Sequence, residues 1–237
     1  MKIKFLNAVM VSLALTVSSF SAHAGIIDSS SVLLDDAGAT QLETWLGQGD
    51  LDWDSIWYGA TGATATSWHG AVDSAGPTVS IYDVTYNGAS YLLGGYTGLS
   101  WGGTAWQGDN SNETFIFNLN SGLVQYDNYV INYYDVYARP NYFATFGAGH
   151  DLFGGAHTLG GAGYLNACTY AAFGTTATCG DVNRVNIFGV QQRSNFTVNG
   201  LETFTFAPAA AVPEPATLAI FALGMIGLAS RRFKKQS

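Results

Sequence analysis

The sequence predicts a mainly β fold built around one domain, and three observations carry that expectation. Glycine and aromatic residues are abundant, with 29 Gly, 14 Phe, 13 Tyr and 6 Trp among 237 residues. Apolar runs in the middle of the chain are short, and turn residues recur between them, as in a protein made of many brief strands. The stretch between the two distinctive chain ends is about 190 residues, enough to bury one core rather than two.

The beginning, MKIKFLNAVMVSLALTVSSFSAHAG, has Lys2 and Lys4 ahead of an apolar run from Phe5 to Leu15, then a polar stretch closing on Ala22-His23-Ala24. Residues 1–24 are therefore expected to be a secretory signal cleaved after Ala24. A permanent anchor would need roughly 20 apolar residues, and Ser12 interrupts this run.

After a polar lead, LLDDAGATQLETWLG places Leu42, Trp45 and Leu46 on one helical face, with Asp35 or Asp36 as N-cap and Gly47 as stop. In LDWDSIWYGA a strand-like run follows the alternating Asp50, Asp52 and Asp54. A calcium loop would want Gly at the position of Ser55 and Glu at that of Thr61, so these acids are expected in a solvated turn. TATSWHGAVDSAGPT predicts a short helix with Trp68 and Val72 on one side, ended by Gly76-Pro77. TVSIYDV, SYLLGGYT and ETFIFNL follow as strands, the first and last alternating and the middle one continuous, as a strand buried on both faces is. LSWGGTAWQGDNSN reads as a loop, VINYYDVYARPNYFATF as two strands meeting at Arg139-Pro140, and VNRVNIFGV and FTVNGLETFTF as the closing segments. APAAAV, Ala207 to Val212, is a linker.

Charge excludes one class of partner. Between residues 25 and 230 the basic residues are Arg139, Arg184 and Arg193, against all 17 Asp and Glu, which gives −14. Such a chain repels phosphate backbones, so nucleic acid is not expected as a partner. Cys168 and Cys179 stand close in sequence, and in an oxidising compartment two such neighbours most often pair. Closing that short loop would contribute about 3 kcal/mol on the chain-entropy account. A metal site is the weaker reading, because neither a histidine nor a third cysteine lies nearby in sequence.

The end of the chain runs Val212-Pro213-Glu214-Pro215, then the apolar segment Ala216 to Ser230, then Arg231, Arg232, Lys234 and Lys235. A helix of that length rises about 22 Å, short of a hydrocarbon core of about 30 Å. The four cations should stop transfer and stay in the cytoplasm. The order of motif, apolar helix and basic tail resembles the PEP-CTERM sorting signal. That resemblance implies an exosortase-type processing enzyme as partner, transient anchoring in the inner membrane, and delivery to the outer envelope or medium. Residues 208–237 are assigned to this linker and tail.

Residues 30–207 are similar in order and spacing to a TLDc domain. The resemblance rests on Trp68-His69, Gly76-Pro77, Gly94-Gly95 with Trp101, Phe115 and Phe117, then Phe146, Gly147, Gly149, His150 and Asp151, and the terminal FTVNGLETFTF. Trp68 stands where Phe is usual, and Ala148 interrupts a run that is often all glycine. The resemblance implies a two-sheet antiparallel β-sandwich with a few short helices, no cofactor and no established catalytic centre.

The histidines decide what chemistry is open. Adjacent His150 and Asp151 in a glycine-rich segment more often satisfy backbone partners than form a catalytic pair. His69 and Asp73, four apart on one helical face, either tie that helix to the sheet or start a zinc site that His150, His157 or Glu113 would complete. The 33 aromatic residues mostly fill a core, yet SWGGTAWQGDN and VINYYDVYARPNYF could supply a face that stacks on sugar rings. The expected function is a non-enzymatic module that binds exopolysaccharide or an envelope protein. A hydrolase acting on matrix polymer and a purely structural surface protein are the alternatives.

Overall fold

The computed structural model describes residues 25–108, 113–127, 134–171, 179, 184–191 and 193–210. The expected signal with its cleavage point at Ala24, and the sorting tail with residues 212–215 and its cations, lie outside the described residues. Among the described residues no helix is long and apolar enough to cross a membrane.

The chain forms α1 (Asp36–Leu46), β1 (Leu51–Ala60), α2 (Ala65–Val72), β2 (Thr78–Tyr86), β3 (Ala89–Thr97), β4 (Trp106–Gln107), β5 (Phe115–Asn118), β6 (Leu123–Asp127), β7 (Val136–Tyr137), β8 (Thr145–Phe146), β9 (Leu152–Phe153), β10 (Ala162–Leu165), β11 (Tyr170–Ala171) and β12 (Ser194–Pro208). The expectation of a mainly β, antiparallel fold with short helices holds. The strands join in the order β11-β6-β5-β3-β2-β12-β10-β9-β8-β7-β4, and β1 also pairs with β12.

Local chemistry sets the elements. Asp35 caps α1 by accepting from the Gly38 amide at 2.8 Å, and Gly47 ends it at φ 67°. Thr64 caps α2, whose cap at the far end is Asp73. That helix therefore stops before the expected Gly76-Pro77, since its last buried anchor is Val72. β2 turns into β3 through Asn87 and Gly88, both at positive φ, the conformation a tight hairpin demands.

Strand β12 is the joint of the molecule. Its first residues, Ser194–Thr197, pair with β10, and Gly200–Pro208 pair with β1. Its middle pairs with β2, with a register shift between Val198 and Gly200. Because β1 runs along β12 from Leu51 onward, Asp52 and Asp54 lie opposite Ala207 and Thr205 within a strand. This corrects the expected acidic turn: pairing with a long neighbour overrides the weak strand preference of Asp. Asp52 also fastens the N-terminal lead, accepting from the Ile26 amide at 2.9 Å.

The closing segment VNRVNIFGV, described over residues 184–190, forms turns organised by Asn186, whose backbone N–H bonds the Val190 carbonyl and whose side chain takes the Phe188 amide. The two strands expected around Arg139-Pro140 shrink to two residues each, β7 and β8, and the expected loop before them contains β4.

The core divides between the two faces of β2. Val79 and Ile81 join Leu42, Leu51, Trp53, Phe115, Phe117 and Phe204 on one side, while Tyr82 and Val84 join Trp68, Phe143, Phe146, Leu152 and Leu165 on the other. With both faces covered, β2 is buried along most of its length. The buried indoles are satisfied: Trp68 Nε1 donates to Thr203 Oγ1 and Trp101 Nε1 to Thr78 Oγ1, both at 2.9 Å. Tyr82 donates its hydroxyl hydrogen to the Ala144 carbonyl at 2.8 Å. Gly95 is needed where β3 meets the Phe146 ring, since a Cβ there would stand 2.5 Å from it.

Candidate aromatic binding face

The short strands β7 to β10 present two faces because side chains alternate. Val136, Phe146, Leu152 and Leu165 point inward and are fully buried. The next residue of β7, Tyr137, and of β9, Phe153, and the residue before Leu165, Tyr164, therefore point outward and are half-buried. Register then sets them side by side: Trp106 lies opposite Tyr137, and Phe153 opposite Tyr164. Their ring centroids are 4.4 Å and 4.9 Å apart. Tyr134 meets Trp106 edge-on at 5.5 Å, and Tyr142 meets Phe153 at 5.5 Å.

His150 closes the middle of this face. Gly147, Gly149 and His150 all take positive φ, His150 at 59°, a conformation costly for a residue with a Cβ and held only by its surroundings. The turn lays the imidazole against Trp106 and Phe153, nearly parallel to both with each centroid at 5.4 Å. Tyr137 and Tyr142 complete the nest at 5.3 Å and 5.9 Å. Nδ1 is buried there with no hydrogen-bond partner. Burial, and next the positive charge of Arg193, hold the ring below the ordinary histidine range, so it is neutral at pH 7.

Cations frame the rings. The Arg193 guanidinium lies 3.4 Å from the Tyr164 centroid and that of Arg139 5.5 Å from the Tyr137 centroid, both within cation–π range. Both arginines are exposed.

Asp151 turns the other way and is fully buried. Its Oδ1 accepts from the Cys168 amide at 2.6 Å and its Oδ2 from the Tyr170 amide at 2.7 Å, with the Thr169 amide as a third donor. Burial pushes this carboxyl up to about 7, against the pull of those amides and of Arg184. Arg184 donates to the Cys168 and Tyr170 carbonyls, and Cys168 is joined to Cys179 by a disulfide. The neighbours His150 and Asp151 thus serve opposite sides of one turn and do not form a dyad.

His69 is likewise engaged. Nδ1 meets Asp73 Oδ1 at 2.6 Å, and Nε2 donates to the carbonyls of Arg139 and Tyr142 at 2.8 Å and 2.9 Å. It ties α2 to the loop that carries Tyr142, so it supports the aromatic face from beneath. His157 contacts Asn141 at 3.4 Å, and Glu113 lines a separate groove with Trp45, Tyr96 and Tyr126. Among the described residues no group of three or more His, Cys, Asp or Glu is placed to hold a metal ion.

Sequence reasoning found two of the contributing windows, those of Trp106 and of Tyr134 to Tyr142, but not Phe153, Tyr164 or Arg193. Two-residue strands leave too little alternation to assign a face; only the register reveals it.

Residues 211–235 match the PEP-CTERM protein-sorting motif. No match was found among curated proteins. The motif marks the chain as an exported protein targeted by an exosortase and carried through a membrane-anchored sorting signal.

Proposed function

We propose that this exported protein is a TLDc-like β-sandwich module that binds a polysaccharide of the cell envelope or extracellular matrix through its outer aromatic face, without catalysing a reaction on it. The observation that carries the reading is the row Tyr134, Trp106, Tyr137, His150, Phe153 and Tyr164, half-buried on the side of the sheet away from the core. Flat aromatic rings stack on the apolar faces of sugars, and their rigidity makes binding cost little ordering entropy. The sandwich reading draws support from β8 packing its Phe146 against β3 across the core that contains Trp68. The TLDc likeness draws on Trp68-His69, Gly94-Gly95 and Gly147 to Asp151, all of which contribute to packing. Trp68 fills the core, His69 bridges two elements, Gly95 lies beneath Phe146, and Asp151 gathers three amides.

A non-catalytic role is favoured by the engagement of His69 and Asp151. His69 Nε2 is held by two carbonyls, and Asp151 by three amides, so neither is free as a general base. The test is a panel of soluble polysaccharides run in affinity gels beside an assay for released reducing ends. Retardation by at least one polymer without turnover is expected. Turnover that disappears on His69→Gln or His150→Asn would replace this reading with a hydrolase.

A further inference from the structure

The distribution of positive charge narrows the ligand. Three cations occur between residues 25 and 230, where 17 acids give the chain its strongly negative balance. Arg184 is buried and spent on the Cys168 and Tyr170 carbonyls. The other two, Arg139 and Arg193, both sit on tyrosines of the aromatic face. Neither is paired with a carboxylate among the described residues, and the adjacent acid, Asp151, points inward. Among the described residues the polar side-chain partner of Arg193 is Asn195, whose Oδ1 accepts from Nε at 3.2 Å, and the guanidinium is exposed.

From this we infer that the face selects an acidic polysaccharide, one whose sugars carry carboxylates, with Arg139 and Arg193 as the specificity-determining residues and the rings as the stacking floor. The inference rests on the glycan-binding reading above. The planar guanidinium matches a planar carboxylate through paired N–H···O bonds. A neutral polymer could use the rings but would offer the cations only single hydrogen-bond acceptors, without the charge-assisted pairing a carboxylate provides. On a chain that otherwise repels anions, two cations on one aromatic face give a local reversal of sign, which decides where an acidic polymer can dock.

The test compares polygalacturonate with its fully methyl-esterified form by isothermal titration against the exported domain. The wild type should bind the acid form about tenfold more tightly than the ester at low salt, with the preference shrinking as salt rises. The double variant R139Q/R193Q should keep its fold by circular dichroism and bind the acid and ester forms with equal affinity. Equal wild-type affinity for both polymers, or a preference that survives in R139Q/R193Q, would overturn the inference while leaving a neutral glycan ligand standing. Binding of neither polymer or any neutral glycan would remove the glycan reading itself.

Discussion

At the scale of single residues, the turn from Gly147 to Asp151 joins stability to the site. Asp151 collects three amides with its two oxygens. Asp151→Asn would turn an amide donor toward at least one of them, so the variant should lose about 3 kcal/mol in urea unfolding. No change in the midpoint would mean that the amides find other acceptors. His150 supplies a pH signature. Its pKa is depressed in the fold, so the unfolded chain binds more protons below about pH 6.5, and the His150 contribution, present above that value, is lost as pH falls toward the lower folded pKa. Asp151 acts in the opposite sense: raised to about 7, it favours the fold at low pH and loses that contribution as pH rises from about 4. His150→Asn, with a residue that tolerates positive φ, should therefore lose less stability than the wild type between pH 7.5 and 5. Parallel melting curves for the two proteins across that range would contradict the assignment.

At the scale of elements, both helices and the strands β2, β3 and β5 were legible where local chemistry fixes them. Asp35 and Gly47 bracket α1, Thr64 starts α2, and Asn87-Gly88 specifies the β2–β3 hairpin. Asp52 and Asp54 were misplaced because their strand is imposed by β12, far along the chain. β7 to β10 were illegible for a related reason: two residues carry no period, and only their neighbours decide which face each takes. Packing between these elements is tight at Gly95, where a side chain would meet the Phe146 ring. Gly95→Val should cost about 1–3 kcal/mol through forced displacement of β3 from β8. A substitution that left the melting temperature unchanged would show that the two strands have slack between them.

At the scale of the whole molecule, two stretches divide the work: residues 25–210 carry the aromatic face, and the sorting motif at 211–235 sets the route. Replacing Pro213-Glu214-Pro215 with alanines should leave the chain uncleaved in the inner membrane, whereas the parent appears without its tail. A parent that keeps residues 216–237 in cells with a working exosortase would contradict processing at this motif. The central claim is that the row of rings from Trp106 to Tyr164 is the binding surface. Isothermal titration of Trp106→Ala/Tyr164→Ala beside the wild type, against whichever polysaccharide retards the wild type most, tests it most directly. Removing a stacking aromatic costs about 1–3 kcal/mol on platforms that hold flat ligands, so affinity should fall at least tenfold with the fold intact. Undiminished affinity in a folded double variant would contradict the account and move the ligand to another surface.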